Sequence, residues 1–315
     1  MPKTSNTKSK ETELVKTSAL VNSYVLAAQS ASTTRSYAQD LRHFKANGGK
    51  VPASPEMVAD YISRFAGHLA IATLQHRLIA IHRAHIDKGC ASPVSDKLVK
   101  RTMQGIRRTF SVAQRQVQAL VKDDLLELLV LVATQKPLKA ARDKALLLIG
   151  FAGAFRRSEL VALRVEDITP YAHGLDLKLT KSKTDQEGEG RTVFVPLAKS
   201  EDRCPVRALQ TWLELSNIGE GPVFRRVSRH DLVMGTQALT PQSVALMVKA
   251  SMQRAKGADA GKAVSSHSLR AGFVTEAAMV GMQTSVIMGQ TGHKSLDMVL
   301  RYIRPVQRRQ IQSLL

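Results

Sequence analysis

The sequence predicts a mainly α-helical protein of two domains, the second carrying one small antiparallel β-sheet. Three observations predict it. Apolar residues recur at three- and four-residue spacing along most of the chain. Two runs alternate with period two, Leu175-Asp176-Leu177-Lys178-Leu179 and Arg191-Thr192-Val193-Phe194-Val195. They flank the turn-rich Asp185-Gln186-Glu187-Gly188-Glu189-Gly190, so they read as a hairpin. The length of 315 residues suits two domains of roughly 100–200 residues each. A hydrophobic fraction of 43% is enough to fill their cores.

In chain order, residues 1–15 are polar and basic and read as a disordered tail. The first domain spans 16–107. Leu20, Tyr24 and Ala27 begin one helix, and Ser32 and Thr33 read as caps before Tyr37, Leu41 and Phe44. Ser54-Pro55 is a start signal, an N-cap serine with proline at the first helical position, leading into Val58, Tyr61, Ile62 and Phe65. A further helix carries Leu74, Leu78 and Ile81. A basic stretch follows with Lys97, Lys100, Arg101, Arg107, Arg108 and Arg115, and a linker is placed at 108–118.

The second domain spans 119–315. Asp123 and Asp124 sit at the positive end of a helix through Leu125, Leu128 and Leu129. Residues 143–163 read as a second helical region, followed by the hairpin. Helices resume near Pro205, at Thr240-Pro241 (N-cap plus proline), at Ser266, at Thr284 and at Lys294.

Charge narrows the partner. Lys and Arg total 46 against 26 acidic residues, a formal charge of +20. Solubility needs a net charge of only about 2–8 in a small domain, so a polyanion such as DNA is the natural partner. Aromatics at 4% argue against an aromatic-lined single-strand binder. Cys90 and Cys204 are too few for a disulfide framework or a zinc site, and fit a reducing cytoplasm. The apolar run Ala145–Phe155 is far short of the ~20 residues that span a bilayer. A polar N-terminus lacks the apolar core of a signal peptide.

Three stretches carry chemistry. In Ala154-Phe155-Arg156-Arg157-Ser158-Glu159-Leu160 the carboxylate of Glu159 is spaced to brace Arg156. In Ser266-His267-Ser268-Leu269-Arg270 the histidine and arginine share a helix face. Gly292-His293-Lys294-Ser295 is followed by Tyr302 in Leu300-Arg301-Tyr302-Ile303-Arg304. HExxH, paired cysteines, a calcium loop and GxxxxGK[ST] are all missing from the sequence, so no metal and no ATP are expected. Phosphodiester cleavage on such a set needs a nucleophile, cations for the anionic transition state and an acid for the leaving oxygen.

Taken in order, these residues resemble the tyrosine recombinase (phage integrase) family. FRRSELVALRVEDI is similar to its first box, and HSLRAGFVTEAAMVGMQTSVIMGQTGHKSLDMVLRYIRP to its second. The resemblance covers about 120–315, and the helical first domain is similar to the family's core-binding domain with less specific signals. A simple two-domain member, Cre- or Xer-like, is implied.

The resemblance implies a helical core-binding domain and a catalytic domain that close on DNA as a C-shaped clamp. Tyr302 would attack the scissile phosphate and form a 3′-phosphotyrosine. Arg156 and Arg270 would clamp the non-bridging oxygens with planar, always-charged forks. His293 would donate a further hydrogen bond, and His267 would serve as base or donor, since imidazole titrates near neutral pH. Glu159 would orient the cluster. The family's acid lies in the hairpin, where Lys181 and Lys183 both stand; the Ser-Lys-Thr setting favours Lys183. A lysine among arginines holds its proton less tightly, which suits an acid.

Most DNA contacts would go to phosphates, with Arg83, Lys100, Arg101, Arg107 and Arg108 as candidates. Gln75, Arg77, Gln242 and Lys249 are candidates for reading bases in the major groove. The apolar C-terminal segment would pack as a helix on a neighbouring subunit, giving a dimer on each recombination site and a homotetramer on two. Inverted repeats in the site, and a bacterial or phage-type cytoplasmic setting, are implied as well. A type IB topoisomerase and a catalytically inert DNA-binding protein are the alternatives.

Overall fold

In the computed structural model, residues 30–110, 118–180, 190–265 and 267–309 are described, together with Tyr24 and Ala28. The expected tail, most of the Leu20–Ala27 helix, Lys181, Lys183, Ser266 and the C-terminal segment from residue 310 lie outside these residues. Contacts divide the chain into two units, Met1–Gln114 and Arg115–Leu315.

Among its described residues the first unit has the helices α1 (Ala31–Ala46), α2 (Pro55–Arg64), α3 (Ile71–Ile86) and α4 (Lys97–Phe110). The cap of α1 is Ser30, whose hydroxyl accepts from Thr33 N. Ser32 and Thr33 therefore lie inside the first turn rather than before it, a shift of the expected start. Ser54 caps α2 and accepts from Met57 N, and Pro55 stands at the first helical position. Phe44, Val58, Tyr61, Ile62, Leu74, Leu78, Ile81, Val99, Met103 and Ile106 form the core. Each large apolar side chain contributes about 1.5–3 kcal/mol by leaving water. Helix α4 runs into the stretch read as linker, and residues 111–117 lie outside the described ones.

The second unit opens with α5 (Lys122–Ala133) and α6 (Pro137–Ala152). Leu146, Leu147, Leu148 and Ile149 on α6 are all buried, as in a helix enclosed on every side. The expected single helical region at 143–163 is broken: α6 ends at Ala152, and a short α7 (Arg157–Ala162) starts anew. Between them Ala154 has φ 48°, a left-handed conformation that no continuing helix accommodates.

Strands β1 (Ile168–Tyr171), β2 (Gly174–Leu179) and β3 (Arg191–Pro196) form an antiparallel sheet in that order. The expected hairpin pairs Leu175 with Val195, Leu177 with Val193 and Leu179 with Arg191. The structure adds β1, and a separate hairpin of β4 (Arg225–Val227) with β5 (Val233–Ala238), to the strands expected from sequence.

Helices α8 (Pro205–Ser216), α9 (Pro241–Lys256), α10 (Ala258–Ala263), α11 (His267–Met279), α12 (Thr284–Thr291) and α13 (Leu296–Arg309) complete the unit. Trp212 of α8 is fully buried and its Nε1 donates to Val223 O at 2.8 Å, so the large indole leaves no unpaired donor. A second cluster of Val274, Ala277, Ile287, Val299 and Ile303 binds α11, α12 and α13 together, and Tyr302 packs against it. No described helix is long and apolar enough to cross a membrane.

Candidate active site

The break after α6 sets the geometry of the site. Arg156 is the N-cap of α7 rather than a residue within it, and Glu159 stands at the third helical position. The carboxylate turns back to accept from Arg156 N (2.9 Å) and from Arg156 Nη1 (2.6 Å). Its position near the helix start also meets the positive end of the dipole. At 1% exposure, Glu159 has no water to compete for it. Glu159 Oε2 receives a third donor, Arg191 Nη2, at 3.3 Å.

Helix α11 delivers Arg270 to the same place. Its Nη1 donates 2.9 Å to Ala154 O, the carbonyl displayed by the left-handed residue. A non-glycine residue held there stores strain of the kind found at functional sites. Arg270 is 5% exposed and its Nη2 has no hydrogen-bond partner among the described residues. Burial, then the neighbouring Arg156, push the Arg270 pKa down to about 9, so the guanidinium stays charged at neutral pH. Tyr302 lies close enough to act on that charge.

His293 follows α12 after the left-handed Gly292 (φ 64°). Its Nδ1 lies 2.7 Å from Thr291 Oγ1, and that hydroxyl is also 2.7 Å from Ile287 O. A carbonyl can only accept, so the single hydroxyl proton goes to Ile287 and Thr291 accepts from His293 Nδ1–H. Nε2 then carries the lone pair of a neutral ring. Burial first, and then Arg270, Arg156 and Arg191, lower the His293 pKa to about 3.

Arg156, Glu159, Arg270 and His293 are therefore gathered by charge and hydrogen bonding, with Tyr302 in range. His267 is exposed at the start of α11, its backbone N donating to Ser265 Oγ at 3.1 Å. Arg191, Gln290 and Thr291 belong to the same cluster and were missed from sequence. For Arg191 a signal existed, since period two puts it on the face of the buried Val193 and Val195.

Arg77, expected at a DNA surface, is 8% exposed and occupied inside the first unit. Its Nη1 donates to Tyr61 Oη (3.1 Å) and His43 Nδ1 (2.9 Å). Gln75 is half-buried, and Arg83 is exposed but paired with Asp87 at 2.8 Å. Lys100, Arg101, Arg107, Arg108, Gln242 and Lys249 are exposed. Among the described residues no group of three or more His, Cys, Asp or Glu side chains could hold a metal ion.

The profile of the phage integrase family matches residues 118–309. The chain is 41% identical over 256 residues to an integrase/recombinase XerD homologue of Selenomonas ruminantium, covering 80% of this chain and 74% of the relative. It is 26% identical over 270 residues to the Cre recombinase of Escherichia phage P1, covering 80% and 76%. Among solved structures, the XerH site-specific recombinase bound to palindromic difH substrate has the same fold, at a TM-score of 0.64 and 19% identity over 88% of this chain and 77% of that one.

Proposed function

The chain belongs to the phage integrase family, and from that premise we propose that it is a site-specific DNA recombinase whose nucleophile is Tyr302. One observation carries the reading: Arg156, Arg270 and His293 converge beside a single buried carboxylate, with Tyr302 in electrostatic range of Arg270. Such a pocket has excess positive charge and unspent donors, the complement of a phosphodiester.

In the reaction, Tyr302 Oη attacks the phosphorus in line and its proton passes to His267. The bond from phosphorus to the 5′-oxygen breaks, and Lys183 supplies the proton that the leaving oxygen needs. Arg156 and Arg270 hold the non-bridging oxygens as charge builds on them. Glu159 fixes the Arg156 fork. The His293 Nε2 must gain a proton before it can donate, and an arriving phosphate anion favours that uptake. A 3′-phosphotyrosine and a free 5′-hydroxyl result. The ester keeps the diester's bond count, so a 5′-hydroxyl from a partner strand can reverse the step, through a Holliday junction, without ATP. Positioning and charge supply most of the catalysis.

The partner is duplex DNA with a recombination site, its phosphates met by α4 and other basic surfaces. A dimer on each site of inverted repeats, and a homotetramer on two, complete the proposal. The test is a nicked suicide substrate, in which the short 5′ fragment diffuses away. The wild type should accumulate a covalent adduct, and Tyr302→Phe should bind the same DNA with no adduct. An adduct of undiminished yield in the Phe variant would remove Tyr302 from the role.

A further inference from the structure

We propose that Arg191 is a positioning residue of the strand-cleavage site, locking the Gly292–His293 segment against the Glu159 carboxylate. The inference rests on the recombinase reading and adds a part to it. Arg191 opens β3 on the strand face shared with the buried Val193 and Val195, where an apolar residue would satisfy the core. Instead it carries a half-buried guanidinium in electrostatic range of Arg156 and Arg270, and burial, before any charge effect, lowers its pKa. Burying like charges together opposes folding. Its placement there therefore calls for a role other than core stability.

The contacts specify that role. Arg191 Nη1 donates 2.6 Å to Gln290 O, at the end of α12, and Nη2 donates 3.3 Å to Glu159 Oε2. Its Nε is buried without a partner among the described residues. Gly292 lies directly against the guanidinium: a β-carbon there would stand 2.9 Å from Nε and 3.1 Å from Cζ. The left-handed φ of 64° at the same glycine then turns the chain to His293. Gln290 adds a second tie, its Nε2 donating 2.9 Å to both Ala152 O and Phe194 O. One side chain thus links the carboxylate that aims Arg156 to the turn that carries His293.

The experiment compares wild type, Arg191→Met and Arg191→Lys in two measurements. Adduct formation on the suicide substrate is followed at saturating DNA, with Kd determined separately. Arg191→Met should form adduct about 100-fold more slowly, as expected for misplacement of catalytic groups, with Kd within about threefold. Arg191→Lys keeps the charge but reaches one acceptor at a time, and should fall between. A wild-type rate in a folded Arg191→Met or Arg191→Lys, or a loss confined to Kd, overturns the proposal; thermal unfolding identifies which variant is folded.

The second measurement needs no DNA. The His293 ring is titrated by nitrogen NMR, and its pKa should rise in Arg191→Met because a neighbouring cation is removed. An unmoved His293 titration overturns the positioning role even if the wild type makes no adduct. Absence of a wild-type adduct would count against the recombinase reading instead.

Discussion

Each unit buries an arginine among histidine and aromatic side chains, and the two clusters settle their charge differently. In the first unit Arg77 has Asp40 at 3.7 Å, the Tyr61 hydroxyl at 3.1 Å and the His43 ring at 2.9 Å, with its guanidinium 5.9 Å from the Phe65 centroid. Asp40 also holds His76. Burial, and then Arg77, lower the His43 pKa, so that ring is neutral and free to accept. Cation and anion balance within the cluster. In the second unit three guanidiniums, those of Arg156, Arg191 and Arg270, share the one carboxylate of Glu159 among the described residues. Two buried donors there, Arg191 Nε and Arg270 Nη2, have no hydrogen-bond partner among the described residues, whereas the corresponding donor of the first cluster, Arg77 Nε, at least faces Asp40 at 3.7 Å. A balanced cluster is satisfied within the fold, whereas an unbalanced one leaves donors and charge for an anion from outside.

Substitutions with opposite signatures break the comparison if it is wrong. Arg270→Met should lower strand cleavage by more than about 10³-fold, the scale of a cation that meets transition-state charge in phosphoryl transfer. Its thermal midpoint should change little, because one lost bond to Ala154 O is offset by relief from Arg156 and Arg191. Arg77→Met should do the reverse. It leaves the half-buried Asp40 with His76 alone and removes the donor shared by Tyr61 and His43, and should destabilise the first unit by about 3 kcal/mol, read by urea unfolding, with little change in cleavage at saturating DNA. A stable, slow Arg77→Met would place that residue with the catalytic group.

Acid separates the clusters more gently. His293 has its folded pKa lowered to about 3, below the unfolded value near 6.5. The unfolded chain therefore binds the extra proton first as pH falls below about 6.5. Stability is complete above that value and declines progressively toward pH 3. His293→Gln should flatten this decline in the second unit, measured as midpoint against pH. An unchanged slope would mean the ring is protonated in the folded state, and that its Nε2 already carries a donor.

Local signals made much of this legible. The hairpin of β2 and β3 was readable because alternation needs only neighbouring residues. Strands β1 and β5 show mostly exposed residues, and β4 has three residues, so neither alternation nor length betrayed them. Arg156 and Glu159 were found by spacing, but their helix was misread because an apolar run conceals the left-handed turn at Ala154. Arg77 was misplaced although spacing held the answer: it stands three residues after Leu74 and four before Ile81, on the buried face. Arg191 likewise shared a face with buried valines. In both cases charge outweighed register, and register was the better guide to burial.

The smallest predicted effect concerns arginine outside either cluster. Val99, Met103 and Ile106 turn one face of α4 into the core, which leaves Lys100, Arg101, Arg107 and Arg108 on its exposed side. A cation there has no buried carboxylate to balance and no orphaned donor, so its removal costs the fold almost nothing. Against a phosphate its worth is mainly counterion release, which appears in the salt dependence. Arg101→Ala should keep the thermal midpoint and the saturated cleavage rate, and reduce the slope of log affinity against log salt by about 1. A slope unmoved by Arg101→Ala and by Lys100→Ala alike would take this face of α4 away from the DNA. The first unit's charge would then have to act through another surface.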